Sequence, residues 1–223
     1  MEAYVIYIQG HEDSEKFSDR CVQSIIDTES ELTVEKFPAI TPENMWQVNY
    51  TWPLRKKKVC EKTKLLLSAY KTYDNNKRIA AAQSHYMLWR KCATLNRPIL
   101  ILEHDAIFIK KFDMKIMDWW PGEGAVSIND PIGATFSAKE YDRALEEGIN
   151  EVPWLADKNI PQGLPGHSAY VLYPDAAREI MRLQEEIGWW PNDAIMCKQL
   201  CPWIRSYKPY ITKCQGIKST TSK

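Results

Sequence analysis

The feature that most constrains the fold is an uninterrupted apolar run, Ile99-Leu100-Ile101-Leu102, which Glu103-His104-Asp105 follows at once. A continuous apolar run of this length is typical of a strand that is covered on both faces, as in a parallel sheet. Residues 78–95, just before it, carry apolar side chains at helical spacing and predict a helix that ends at Asn96-Arg97-Pro98. A helix that leads into a buried strand indicates an α/β fold.

Strand and helix patterns alternate along much of the remaining chain, which favours a mostly parallel sheet flanked by helices. Two segments lack a clear period. Residues 41–62, with the run Arg55-Lys56-Lys57-Lys58, predict an irregular surface segment, and residues 130–165 form a long Pro- and Gly-rich stretch of the kind that often carries function. Strands are predicted at 3–8, 32–37, 125–128, 168–173 and 203–211, and helices around 20–26, at 174–187 and from 191 onward.

Charge is balanced over the whole chain but not along it. With 223 residues we expect a single domain, and 29 basic and 29 acidic residues exclude a passive nucleic-acid binder with a basic footprint. Residues 194–223 contain no acid but carry six cations, among them Lys213 and Lys218. Such a tail suits a phosphate-bearing ligand, or it is a solvated terminal segment.

The six cysteines form neither a CxxC pair nor a cluster with zinc-ligand spacing. We find no signal-peptide pattern and no apolar run of membrane-span length. We therefore expect a reduced, cytoplasmic protein.

Two acids at the end of the apolar strand, Glu103 and Asp105, are the strongest chemical signal. Open α/β sheets bind ligands at the carboxyl ends of their strands. Adjacent carboxylates are costly unless a cation neutralises them, and hard oxygen ligands suit Mn²⁺ or Mg²⁺. Such a metal would stabilise a nucleoside-diphosphate leaving group. The alternative is a pair of ordinary loop acids. His104 is predicted to be a spacer, because alternation along an extended segment points it away from the acids.

Asp193 follows Pro191-Asn192 at a predicted helix start. It is either a cap or first-turn acid, or a general base that deprotonates an acceptor hydroxyl. Ser84 and His85 lie within the 78–95 helix and are either satisfied helical residues or residues that reach the same crevice as the acids.

Other candidates flank the last predicted strand and helix. Gly166 and His167 lead into the strand at 168–173, where glycine permits a ligand to approach the backbone or simply makes a turn. Trp189 and Trp190 precede the Asp193 turn. They are aromatic platforms for a sugar or base, or members of the core.

The order of several segments resembles glycosyltransferase family 25, whose members include lipopolysaccharide galactosyl- and glucosyltransferases and collagen galactosyltransferases. The acidic motif of the family usually reads Leu-Ile-Leu-Glu-Asp-Asp-Ala, and here His104 replaces the middle acid. The segments that carry the resemblance are the strand at 4–8 with Arg20, Val34 to Ile40, Ala82 to Trp89, Leu100 to Ala106, Gly166, 169–171, Ala176-Ala177 and Pro191-Asn192-Asp193.

The resemblance implies a GT-A-like, Rossmann-type fold and a one-step inverting transfer. The donor would be a nucleotide sugar, with a UDP-sugar as the first candidate, and the acceptor would be a hydroxyl of a glycan. A modified base in viral DNA stays open as acceptor, although the neutral total charge does not support it. A bacterium or a virus-infected host cell is the expected setting. Residues 1–223 would form one glycosyltransferase domain, with a donor-binding half at 1–130 and an acceptor-side half with the basic tail at 131–223.

The resemblance also assigns roles to the candidates. Glu103 and Asp105 would hold Mn²⁺ or Mg²⁺, and Asp193 would be the catalytic base. The expected donor-binding residues are Ile8, Gln9, Arg20, Ser84, His85, His104, Lys213 and Lys218, and the expected acceptor-binding residues are Gly166, His167, Trp189 and Trp190.

Two rival functions remain at this point. One is a non-catalytic carbohydrate- or nucleotide-binding protein on the same scaffold. The other is a Rossmann-type methyltransferase, which needs a glycine-rich loop after the first strand. The segment Gln9-Gly10-His11-Glu12 offers a single glycine and disfavours it.

Overall fold

The computed structural model describes residues 1–132 and 137–216. The sheet strands are β1 (Glu2–Tyr7), β2 (Thr33–Pro38), β5 (Ile99–Glu103), β7 (Ala125–Ser127), β8 (Gly148–Glu151), β9 (Ala169–Leu172) and β10 (Ile204–Lys208). They form one seven-stranded sheet in the order β2-β1-β5-β9-β7-β10-β8, in which β9 and β8 run against the other five strands. The predicted α/β fold, with a mostly parallel sheet between helices, is confirmed.

The apolar run of the sequence forms the middle of this sheet. Strand β5 lies between β1, which is parallel to it, and β9, which is antiparallel. Ile99 and Ile101 belong to the core on one face of the sheet, while Leu100 and Leu102 belong to the core on the other. All four side chains are fully buried, so the run is continuous because both faces of the strand are covered.

Helices cover both faces. The described helices are α1 (Glu12–Asp27), α2 (Asn75–Leu95), α3 (Ala138–Arg143), α4 (Pro174–Ile187) and α5 (Asn192–Ile195), with a 3-10 helix at Met114–Trp119. Helices α2 and α4 pack on one face, and α1 packs on the other. Local sequence explains their ends: Asp74 caps α2, Asn96 ends it in the left-handed conformation, and α4 runs from Pro174 to the residue before Gly188.

The sequence misses the short strands. Residues 41–62 are not wholly irregular, because β3 (Lys57–Val59) pairs with β4 (Leu66–Ser68) in a hairpin. The stretch 130–165 contains α3 and β8. Strands β6 (Ala106–Phe108) and β11 (Thr212–Cys214) form a second small sheet directly after the acidic motif. Three or four residues are too few to display a period.

Both parts of the chain contribute to the central sheet, since β9 lies between β5 and β7. The functional division near residue 130 stays a prediction. In the described part of the chain, no helix combines the length and the apolar character that crossing a bilayer requires.

Candidate active site

A cleft of about 1420 Å³ opens at the carboxyl ends of β1 and β5. Strand β9 starts at the same edge because it runs against β5, so the residues before it also face the cleft. The sheet therefore gathers candidates that are far apart in the sequence. The predicted site residues that line this cleft are Ile8, Ser84, His85, Glu103, His104, Asp105, Gly166, His167 and Asp193.

A buried chain of hydrogen bonds holds Glu103. Its carboxylate can only accept, so Nε2 of His85, at 3.1 Å from Oε1, is the donor. Nδ1 of His85 lies 2.9 Å from the hydroxyl oxygen of Tyr170, and in the tautomer with its proton on Nε2 it accepts from this hydroxyl. The indole of Trp89 donates to the same hydroxyl oxygen at 2.9 Å. His85 thus lines the cleft and also fixes the acid beside it.

The surroundings of Glu103 keep it ionised. Burial alone would raise the pKa of Glu103, but the hydrogen bond from His85 and the electrostatic influence of the His85, His167 and His104 rings bring that pKa below its ordinary value. The carboxylate is partly open to the cleft, with 37% of its side chain exposed. A charged carboxylate that is held in place at the end of β5 is suited to bind a cation.

Asp105 differs from Glu103 in its protonation. Burial, followed by the negative charge of Glu103, raises the pKa of Asp105 to about 7. Its Oδ1 atom is buried and has no hydrogen-bond partner among the described residues. A divalent cation would satisfy this oxygen and remove the repulsion between the two acids. The residues present therefore fit an Mn²⁺ or Mg²⁺ ion.

The protein supplies few ligands for such an ion. Within residues 1–132 and 137–216, no group of three His, Cys, Asp or Glu side chains is arranged to hold a metal. Two carboxylates leave most of an octahedral shell to water and to the phosphates of a ligand, which is how Mg²⁺ is commonly bound.

The prediction that His104 points away from the acids as a spacer stays a prediction, although its premise of an extended segment does not hold. The chain turns at residues 104–105 instead of continuing as a strand, so the alternation of an extended segment does not apply. His104 lines the same cleft as Glu103 and Asp105. Burial lowers the pKa of His104, although the charge of Glu103 opposes this change.

Asp193 lies on α5 and lines the same cleft. The hydroxyl of Tyr70 donates to its Oδ1 atom at 3.0 Å. The guanidinium of Arg78 lies over the ring of Tyr70, 4.2 Å from its centre. Burial raises the pKa of Asp193, while the charge of Arg78 and the bond from Tyr70 moderate the increase. A carboxylate with a raised pKa in a cleft suits a general base.

Sequence reasoning missed Tyr70 and Arg78, which both line the cleft. A signal for Arg78 was present. It lies seven residues before His85 on α2, and this separation of two turns places both on one helix face. No local sequence pattern predicts a role for Tyr70. It follows β4, and its hydrogen bond to Asp193 joins residues that are 123 positions apart in the sequence.

Ser84 and Ile8 line the cleft with their polar groups already engaged. The Ser84 hydroxyl accepts from the backbone of Ile40 at 2.8 Å and donates to the carbonyl of Ala80 at 3.0 Å. The backbone amide of Ile8 donates to Ser14 at 2.8 Å. Gln9 is exposed and is not among the residues that line the cleft.

Two predicted cations meet beside the acidic motif. Arg20 on α1 and Lys213 on β11 line a shallow pocket of about 480 Å³. Cys214 and Gly216 line both this pocket and the main cleft, so the two spaces adjoin. Lys218 lies outside the described residues.

The predicted acceptor residues are in three different settings. Gly166 and His167 line the cleft, and both ring nitrogens of His167 lack a hydrogen-bond partner among the described residues. Trp189 contacts the rings of Trp46 and Tyr86 away from the cleft lining. Trp190 is fully buried in the core, where its indole donates to Thr51.

Comparison with known proteins identifies the class. The model of glycosyltransferase family 25, described as an LPS biosynthesis protein, matches residues 3–126. The match spans more than half of the 223 residues, and it includes β1, α2 and the acidic motif. The chain belongs to glycosyltransferase family 25 and is a glycosyltransferase.

Two solved structures of LgtC are distantly similar to the chain. An active-site mutant of LgtC is 10% identical, with a TM-score of 0.46, over 92% of this chain and 72% of that one. The galactosyltransferase LgtC in complex with donor and acceptor sugar analogs is 7% identical, with a TM-score of 0.43, over 92% and 73%. At this distance they assign no role to a residue here. No match to this sequence is found among the curated proteins.

Proposed function

We propose that this glycosyltransferase is metal-dependent and inverting, and that it moves a sugar from a nucleotide sugar, first of all a UDP-sugar, to a hydroxyl of a glycan acceptor. The observation that carries the proposal is one cleft lined both by the acids Glu103 and Asp105 and by the half-buried, hydrogen-bonded Asp193. The LPS-related description of the family supports a glycan as acceptor. A cytoplasmic location fits such a donor.

The donor side is formed by the first part of the chain. Glu103 and Asp105 would hold Mn²⁺ or Mg²⁺, which supplies charge neutralisation for a diphosphate leaving group when it is bound. Arg20 and Lys213, in the adjoining pocket, are placed to pair with phosphate oxygens. His85 keeps Glu103 oriented, and Ser84 holds the Ile40 edge of the cleft in position.

The acceptor side is formed by Asp193 and its neighbours. Tyr70 fixes one carboxylate oxygen of Asp193, which leaves the other to accept the proton of an acceptor hydroxyl. That hydroxyl then attacks the anomeric carbon as the bond to the leaving phosphate breaks, and the configuration inverts. Arg78 limits the rise of the Asp193 pKa and so favours the ionised form, which can accept a proton. We place Gly166 and His167 at the sugar, and we leave Trp189 and Trp190 out of this site.

Asp193→Asn tests the base. We expect kcat for sugar transfer to fall by roughly 10²–10⁴-fold while the KM for the UDP-sugar is nearly unchanged, because the amide keeps the shape and loses the basic oxygen. Asp118→Asn, which changes an exposed acid outside the cleft, is the matched control and should turn over normally. Normal transfer by Asp193→Asn contradicts the assignment. The anomeric configuration of the product, read by NMR, separates inversion from retention.

A further inference from the structure

A basic hairpin, residues 54–68 with β3 and β4, projects from the domain. It contains six cations and one acid, Glu61, although the whole chain has no net charge. The hairpin thus carries +5 (six minus one), and the rest of the chain carries the opposite charge. All six side chains are exposed: Arg55, Lys56, Lys57, Lys58, Lys62 and Lys64.

These cations are not neutralised within the protein. Some lysines elsewhere on the surface pair with acids, as Lys36 does with Asp19 at 2.6 Å and Lys198 with Glu151 at 3.1 Å. Among the described residues, no ion pair joins a carboxylate to a cation of the basic hairpin, and Lys62 donates only to the backbone carbonyl of Glu186. The positive field of the hairpin is therefore directed at solvent.

The same surface is also apolar. Leu54 and Val59 are each 54% exposed, and they flank the run of four cations. The opposite side of the hairpin is anchored, because Cys60, Leu65 and Leu67 are buried in the core. A fixed surface that combines exposed aliphatic side chains with unpaired cations resembles the polar–apolar pattern of interfacial membrane segments.

Two lysines of the basic hairpin have an unusual backbone conformation. Lys56 and Lys64 have positive φ angles of 58° and 62°, in the left-handed region where glycine or asparagine is the usual residue. The sequence has lysine at both positions in spite of the strain. Strain at a residue is often kept for a functional reason, and here the retained property is the charge.

We propose that the basic hairpin docks on a bilayer surface that contains anionic phospholipids. The lysine and arginine side chains meet the phosphates and carboxylates of the headgroups, and Leu54 and Val59 enter the interface. The exposed aliphatic pair favours a bilayer over a nucleic acid, because these side chains can be buried in the bilayer interface but not against a phosphate backbone. The proposal does not depend on the metal or on the catalytic mechanism.

Docking would set the orientation of the cleft. Trp52 lies under the hairpin, donates to the backbone of Ser68 at 3.1 Å and stacks on Tyr70 with ring centres 5.6 Å apart. Tyr70 in turn donates to Asp193. The hairpin is thus connected to the proposed acceptor side of the cleft, and docking would hold that side at a fixed place relative to the bilayer.

Co-sedimentation of the full chain with vesicles tests the proposal. We expect binding to phosphatidylcholine vesicles that contain phosphatidylserine at low salt, and little binding to phosphatidylcholine alone. Lys57→Glu together with Lys58→Glu should weaken binding about 25-fold or more, since each basic residue near the surface contributes about fivefold. Lys110→Glu with Lys115→Glu changes the net charge equally at exposed sites outside the hairpin and should bind nearly as wild type does. Circular dichroism checks the folding of each variant.

A second pair separates a bilayer from a soluble polyanion. Leu54→Ser with Val59→Ser should weaken binding to the phosphatidylserine vesicles several-fold and leave any binding to double-stranded DNA unchanged. The proposal is overturned if the wild-type protein does not bind the anionic vesicles at low salt. It is also overturned if the control pair loses as much binding as the hairpin pair, or if the serine pair binds the vesicles as wild type does.

Discussion

His167 and Asp105 each hold a buried polar atom in the cleft lining that no described protein group satisfies. Leaving a buried donor or acceptor unpaired costs roughly 1–3 kcal/mol. At a binding site, a ligand or its bridging waters supply the missing hydrogen bonds. We therefore interpret unpaired buried atoms in the cleft lining as candidate ligand contacts. Burial lowers the pKa of His167 to about 3, which keeps the ring neutral and able to both donate to and accept from sugar hydroxyls.

Replacing His167 with Phe separates binding from stability. We expect the melting temperature of the ligand-free protein to rise by a few degrees, because two unpaired buried nitrogens disappear. Sugar transfer should fall by roughly 10–100-fold, because the ring no longer contacts hydroxyls. Calorimetry and initial-rate kinetics on the same preparation measure both.

The contrast is His85→Phe, which breaks the bonds to Tyr170 and Glu103 and should lower both stability and activity. A destabilised but fully active His167→Phe protein would show that His167 serves the core and not the ligand.

At the scale of elements, the end of α4 depends on one close approach. Gly188 has φ +90°, and a Cβ atom there would lie 2.3 Å from Cγ2 and 2.7 Å from Oγ1 of Thr51. The segment around Thr51 must move to admit a methyl group, and it is bonded to this same corner through Trp189 and Ile187.

Gly188→Ala should therefore destabilise the fold by about 1–3 kcal/mol, a decrease of several degrees in Tm. Gly122→Ala is the matched control: its φ is +74° and nothing lies within 4 Å of the added atom, so it carries backbone strain alone. Urea unfolding of the two variants compares them, and equal losses of stability would contradict the steric argument.

The long elements could be predicted because each has a sufficient period and clear ends. Strand β5 follows from its apolar run, and α4 is bounded as its Pro174 and Gly188 predict. The acids of the site follow from their place after β5. The hairpin β3–β4 and the pair β6–β11 could not be predicted, because three-residue strands are fixed by their partners. The orientation of His104 could not be predicted, because the turn after β5 ends the alternation on which the spacer prediction rests.

At the scale of the whole molecule, the two acids with raised pKa values make stability depend on pH. An unfolded Asp titrates near ~3.9, whereas the pKa of Asp105 in the fold is about 7. Between these values the folded state binds more protons, so its stability falls as pH rises through this window. The raised pKa of Asp193 acts in the same direction, and the lowered pKa of Glu103 opposes it.

Asp105→Asn isolates this contribution. In EDTA, we expect the variant and wild type to be about equally stable near pH 4, and the variant to become the more stable one progressively up to about pH 7, with a constant difference above that. Urea midpoints across the range measure the difference, in which groups that do not interact with Asp105 cancel and the interaction with Glu103 is included. A difference that does not change with pH would contradict the raised pKa.

In the proposed function, Glu103 and Asp105 bind a divalent cation together with the donor diphosphate. Thermal shift of the whole chain with a panel of UDP-sugars, in Mn²⁺ or in EDTA, tests this binding most directly. We expect Tm to increase by roughly 5–10 °C when Mn²⁺ and a matching UDP-sugar, at a concentration of about 100 times its Kd, are both present. We expect little increase with either alone, and loss of the joint effect in Glu103→Ala and Asp105→Ala. Equal stabilisation by the UDP-sugar in EDTA, or an intact joint effect in Asp105→Ala, would contradict it.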